Sequence, residues 1–211
     1  AGFMITNGTA GLKDYPTMQD DNGYIGKCVK LVTRSTGPMG IAFGAPIAAG
    51  NLFLGEFQID ILNMAKSTRF GLPYRNTPLA ISGYYKYQPG AKFTDKTNTV
   101  LENARDTFDI YAVMYESTTE TPFLDGTNIK THPSIVMMAQ LKERKPTDAW
   151  THFSMTFEPV AGRTLDPEKL RKGQYNLAIV MSSSQGGAFL TEDNYPGEDT
   201  DPLSQNRYSY V

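Results

Sequence analysis

Thiol chemistry is all but absent from this sequence. Cys28 is the single cysteine in 211 residues, so no intrachain disulfide and no thiolate zinc cluster can form. Its setting, Gly26-Lys27-Cys28-Val29-Lys30-Leu31-Val32, alternates as a strand does and predicts a buried structural thiol rather than a nucleophile. Histidine is nearly as scarce: His132, before Pro133, reads as an exposed loop residue and His152 as a polar strand position. No His-Glu-x-x-His helix, no Gly-x-x-x-x-Gly-Lys phosphate loop and no Gly-x-Ser-x-Gly elbow around Ser182, Ser183 and Ser184 is present, which removes the familiar zinc-protease, nucleotide and serine-hydrolase templates. Lys and Arg are not clustered and the net charge is −2, so a phosphate backbone has nothing to bind and nucleic acid is not expected as a partner. No apolar run reaches the roughly 18–20 residues of a membrane span. The start, Ala1-Gly2-Phe3-Met4, lacks an initiator Met and a basic leader, and is expected to be a trimmed end from which a signal peptide or lipid anchor has gone.

What the chain does have is Tyr, Phe, Gly and Pro, at 12, 11, 19 and 13 copies, distributed as short strand-like runs between turn signals. The runs are Cys28 to Thr33, Leu52 to Asp60, Leu79 to Tyr87, Phe108 to Tyr115, Ser134 to Leu141, His152 to Phe157 and Tyr175 to Ser182. One short helix is predicted where Asp166 caps, Pro167 fills the first turn and basic residues follow. Many short antiparallel strands predict an all-β protein, a jelly-roll β-sandwich of two antiparallel sheets forming a single domain over 1–211. The segment 191–211 reads as an acidic, turn-rich tail carrying Glu192, Asp193, Glu198, Asp199 and Asp201, where a structural calcium ion is conceivable. No other metal or cofactor is expected.

Strand parity assigns faces. Phe153, Met155 and Phe157 point to the core, whereas Trp150, His152, Ser154 and Thr156 point away. Ile110, Ala112 and Met114 form a second apolar row, which leaves Asp109, Tyr111, Val113 and Tyr115 on a face expected to meet solvent or ligand.

The richest stretches are Gly50-Asn51-Leu52-Phe53-Leu54-Gly55-Glu56-Phe57, Gly71-Leu72-Pro73-Tyr74-Arg75 and Gly83-Tyr84-Tyr85-Lys86-Tyr87. A sugar offers apolar C–H faces that stack on aromatic rings and hydroxyls that need donors and acceptors, so rings beside amide and charged groups suit a glycan site. The same alternation also describes ordinary core strands. Arg75 and Lys86 can donate to sugar hydroxyls or can cover neighbouring rings with their stems, and Trp150 can be a stacking platform or edge packing. A glycosidase needs two carboxyl groups about 5–9.5 Å apart. Glu56 and Asp60 on one strand would lie roughly 13 Å apart, which leaves Glu56 with Asp109 as the pair for a hydrolase.

At these residues the chain resembles the putative carbohydrate metabolism domain family of Bacteroidetes. The resemblance runs through Tyr15-Pro16-Thr17, Gly23-Tyr24-Ile25-Gly26-Lys27 and Leu31-Val32-Thr33-Arg34. It continues in Ala49 to Phe57, Gly83 to Gly90, Phe108 to Val113, Trp150 to Phe153 and Met181 to Ser184. It implies a jelly-roll sandwich, often behind an immunoglobulin-like domain, in exported proteins that handle glycans, with a pocket where jelly-roll hydrolases hold sugar. Against the family pattern, no preceding domain is read within this sequence, and the usual closing strand is not read after Gly186-Gly187-Ala188-Phe189. On both grounds Asn51, Glu56, Arg75, Tyr85, Lys86, Asp109, Tyr111 and Trp150 are the candidate carbohydrate-binding residues. The expected role is non-catalytic binding of an oligo- or polysaccharide in glycan uptake or metabolism, the alternatives being a glycoside hydrolase or a structural domain that contacts other surface proteins. The expected place is the periplasm, or the outer membrane or cell surface as a lipoprotein held by an anchor outside this chain.

Overall fold

A computed structural model describes residues 5–6, 13–37, 47–60, 62–90, 93, 99–100 and 106–185. The acidic segment, its conceivable calcium site and the stretch after Gly186 where a closing strand would fall lie outside the described residues. In chain order the strands are β1 (Ile5–Thr6), β2 (Lys13–Asp14), β3 (Thr17–Asp20), β4 (Cys28–Leu31), β5 (Arg34–Ser35), β6 (Ile47–Ala48), β7 (Asn51–Phe53) and β8 (Gly55–Phe57). There follow β9 (Thr68–Phe70), β10 (Leu72–Pro73), β11 (Ala80–Tyr87), β12 (Asp109–Glu116), β13 (Ile135–Gln140), β14 (Thr147–Thr156), β15 (Glu158–Pro159) and β16 (Tyr175–Ser182). The protein is all-β, as expected, with antiparallel pairing throughout the described ladders.

A six-stranded sheet runs β10-β16-β12-β13-β15, with β7 also paired to β16. Facing it is a ribbon of β11 and β14. Tyr85, Tyr87, Phe153, Met155 and Phe157 descend from the ribbon onto Phe108, Ile110, Ala112, Met114, Tyr175 and Leu177 of the sheet. This is the core that parity predicts, and each of these side chains withdraws from water as a half-buried strand requires.

The opposite face of the sheet corrects the sequence reading. Tyr111, Val113 and Tyr115 do not meet solvent; they form a second core with Phe70, Leu124, Ile129, Ile135, Ala178 and Val180. The covering residues come from β9 and from the long connection between β12 and β13, so β12 is buried on both faces. The expected strand from Leu52 to Asp60 is likewise two strands. Gly55 breaks it at φ 151°, where a Cβ would lie 2.2 Å from the Arg69 carbonyl oxygen, and the chain leaves β16 to pair with β9 instead. Cys28 is half-buried rather than buried, and burial together with Asp20 raises its pKa, which keeps it an inert thiol at neutral pH. His132 is half-buried rather than exposed, its Nδ1 accepting from the Ser134 backbone at 3.1 Å.

The predicted helix spans Pro167–Lys172. Asp166 accepts from the backbone N–H groups of Glu168 and Lys169 at 2.7 and 3.3 Å, and Gly173 closes the helix at φ 69°. The Asp166 backbone N–H in turn donates to the Tyr175 hydroxyl at 3.1 Å, which ties the cap to the core. Asp166→Ala is expected to cost about 1 kcal/mol, read as a lower thermal midpoint with unchanged secondary-structure content.

Candidate functional site

Strand β14 crosses between the two layers. Phe157 still donates its backbone N–H to Leu79 beside the ribbon, yet the next two residues, as β15, pair with Met137 and Met138 on the six-stranded sheet. Between this switch and the connection from β13 to β14 the two layers leave an open groove of about 800 Å3. Met138, Pro159 and Val160 give it apolar surface, and the core residues Tyr85, Leu141, Phe153 and Met155 lie behind it, each at most 9% exposed. The connection from β13 to β14 contributes Lys142, Glu143 and Lys145, β14 contributes Thr151, His152, Ser154 and Thr156, and β15 contributes Glu158. Glu143 and Lys145 form an exposed ion pair at 3.0 Å, which adds little stability but leaves both groups available to a ligand.

The outer face of the ribbon adjoins the groove through His152 and Ser154. In register there, Ser82 lies opposite Ser154 and Tyr84 opposite His152. Tyr84 meets His152 edge-on at 5.2 Å and carries Tyr24 stacked on it at 3.7 Å, the planes 12° apart. Tyr24 comes from the β3–β4 turn, closed by a Gly23 N–H donated to the Gly26 carbonyl at 2.7 Å and by Gly26 at φ 68°. Further along the same face the Lys86 ammonium lies 5.2 Å from the Trp150 ring centre.

A third cluster holds the groove's wall. Asp109, its side chain 1% exposed, is ion-paired to Lys130 and lies 3.9 Å from Arg144 Nε, with Gln140 Nε2 at 3.5 Å. Lys130 also sits 4.5 Å over the Tyr111 ring. Burial foremost, and then the Asp109 charge, pushes the Tyr111 phenol far above its ordinary pKa, so it stays neutral. Arg144 donates to the Leu141 carbonyl at 2.9 Å, which anchors the connection carrying Lys142, Glu143 and Lys145 to the sheet.

The eight candidate residues therefore fall in several places. Tyr85 lines the groove from the core side, and Lys86 with Trp150 occupies the adjoining outer face. Asn51, Asp109 and Tyr111 share one face of the six-stranded sheet through Ser182 and Val180. Asp109 and Tyr111 are buried there rather than open to ligand. The Asn51 side chain donates to the Ala49 carbonyl at 3.0 Å, and its backbone exchanges hydrogen bonds with Thr17 Oγ1. Glu56 is exposed on β8 opposite Arg69, on a different sheet from Asp109. Arg75 lies over the helix end, its Nε 3.0 Å from where a Cβ on Gly173 would be.

Lys142, Glu143, Lys145 and Glu158 carry no sequence signal, because short loop and strand-end charges look alike whether they face a groove or open water. Tyr24 and Tyr84 lie within the segments Gly23 to Lys27 and Gly83 to Gly90 that carry the family resemblance, but only the folded turn brings them together. Among the described residues no group of three or more His, Cys, Asp or Glu could hold a metal ion, and no helix is long and apolar enough to cross a membrane.

The model of the family described as "Putative carbohydrate metabolism domain" matches residues 1–192. The crystal structure of a putative glycoside hydrolase from Bacteroides thetaiotaomicron is 44% identical, with a TM-score of 0.84 over 93% of this chain and 54% of its own. A second, from Bacteroides vulgatus, is 36% identical, with a TM-score of 0.79 over 93% of this chain and 74% of its own. The chain thus spans about half the length of the first of these relatives. No curated protein matches it.

Proposed function

Because the chain belongs to the putative carbohydrate metabolism domain family, we propose that it binds a glycan in the groove between β14 and the six-stranded sheet, without cleaving it. The carrying observation is the lining of that groove: apolar surface backed by the rings of Tyr85 and Phe153, beside ammonium, carboxylate, imidazole and hydroxyl groups. Such a surface matches both the C–H faces and the hydroxyls of a sugar. Lys142→Ala and Glu158→Gln are each expected to weaken binding about five- to thirtyfold, measured by calorimetry on the best ligand from a glycan screen. Unchanged affinity in both variants would move the site elsewhere.

A hydrolytic reading has its own support, since Glu143 and Glu158 line the same groove and both similar crystal structures are of putative glycoside hydrolases. Against it, Glu143 is largely exposed and ion-paired, whereas a proton-donating acid is kept protonated by an apolar pocket. The pair of Glu56 and Asp109 is disfavoured more strongly, because Asp109 is shut away from any glycosidic oxygen. Reducing ends released from a bound glycan by the native protein but not by Glu158→Gln would establish hydrolysis. Within this proposal the domain works in an exported glycan-handling system, and recovery of the native protein from the cytoplasm would remove that part.

A further inference from the structure

We propose that the outward face of the β11–β14 ribbon is a second sugar subsite, where a pyranose ring stacks on the free face of Tyr24 while the same chain enters the groove beside His152. The proposal rests on the groove as the first binding site and extends it to the ligand's length: the domain recognises an oligosaccharide, not a single sugar.

Three observations carry it. First, Tyr24 remains 51% exposed and Tyr84 41% exposed although they stack on each other, so the pair presents an open ring to water instead of closing over a core. Second, the turn is built to hold that ring. A Cβ at Gly23 would come within 2.8 Å of the Gly26 and Lys27 backbone, so the turn is tighter than any other residue allows. Third, the face has the mixed chemistry that a sugar needs. The two phenol hydroxyls lie close enough to raise the Tyr84 pKa, Ser82 and Ser154 stand alongside, and Trp150 with Lys86 lies two residues further along the strands, about 6.6 Å away. That step is close to the length of one sugar unit. His152 belongs to both surfaces, so the platform and the groove are continuous.

Trp150 is the only tryptophan, and its emission therefore reports on this face alone. An array of defined oligosaccharides, each at two, four and six sugar units, supplies the probes. Affinities of the binders are then measured by calorimetry and by Trp150 emission. The hexasaccharide is expected to bind about tenfold tighter than the disaccharide and to shift the emission, which the disaccharide does not. Tyr24→Ala is expected to abolish the gain, leaving the hexasaccharide bound as the disaccharide is, and Tyr24→Phe, which keeps the ring, to restore most of it. Affinity independent of length, or a gain that survives Tyr24→Ala, overturns the subsite while leaving the groove in place. Loss on Tyr24→Ala at every length, with Lys142→Ala and Glu158→Gln binding normally, overturns the two-subsite arrangement and relocates the whole site to the ribbon. Binding by no member of the array overturns both.

Discussion

Replacing Asp109 by alanine is expected to cost about 3–5 kcal/mol of folding stability, because truncating one partner of a buried ion pair leaves the other charges uncompensated. The carboxylate is 1% exposed and serves two cations, Lys130 at 33% and Arg144 at 14% exposure. Lys130 can turn toward water when its partner is lost, but Arg144 is more confined, so the loss is expected near 3 kcal/mol. Asp109→Asn keeps the shape and an oxygen acceptor, and is expected to lose less. A fall in the urea midpoint at constant slope would measure the change, and its persistence in high salt would show that the pair is shielded from screening. The variant is also expected to weaken glycan binding, since Arg144 fixes the connection that carries Lys142 and Glu143. A loss below about 1 kcal/mol would mean that the cluster is no stronger than a surface pair.

Gly71→Ala is expected to cost about 2–6 kcal/mol through two separate effects. Gly71 has φ 101°, where an L side chain is strained by about 1–3 kcal/mol. A Cβ there would also lie 2.6 Å from the Tyr115 hydroxyl oxygen, and overpacking a tight core costs a further 1–3 kcal/mol, roughly. Tyr115 cannot step aside cheaply: its hydroxyl donates to the Phe70 carbonyl at 2.5 Å and accepts from Asn176 Nδ2 at 3.0 Å. Adding Tyr115→Phe removes the clashing oxygen, so the double variant is expected to be more stable than the sum of the single losses implies. Strict additivity would mean that the hydroxyl contact carries none of the cost, which would then lie in backbone strain and in the ring carbons 2.8 and 3.0 Å from that Cβ.

The local rules read well where one strand face and one turn suffice. Tyr175 to Ser182 matches β16 residue for residue, Phe153, Met155 and Phe157 point inward as their alternation requires, and Asp166 caps its helix. Period-two alternation says which residues share a face but not what covers it. Asp109 and Tyr111 were therefore legible as neighbours on one face, yet the second core over them comes from a connection more than ten residues away in the chain, and nothing in β12 announces it. The motif Gly50-Asn51 illustrates the same limit. It reads as a sugar contact, whereas the structure makes it a crossing point: a Cβ on Gly50 would lie 2.3 Å from the Pro16 carbonyl oxygen, and the Gly50 N–H donates to Ser183 Oγ at 2.9 Å. Trp150 and Lys86 were recognised one by one, but their union with Tyr24 depends on a hairpin more than fifty residues upstream of Lys86.

Strand β16 is the hub of the six-stranded sheet, since it alone pairs with β12, β10 and β7, and it is also the last described strand to be synthesised. Its partners precede it by between about 60 and 130 residues, and contacts of such sequence separation make folding slow. During synthesis the earlier strands have no finished sheet to join, so β12 waits with the edge that pairs with β16 open until Tyr175 to Ser182 emerges. Nascent chains ending before Tyr175 would stay open and protease-sensitive, and resistance would arrive in one step as β16 clears the ribosome.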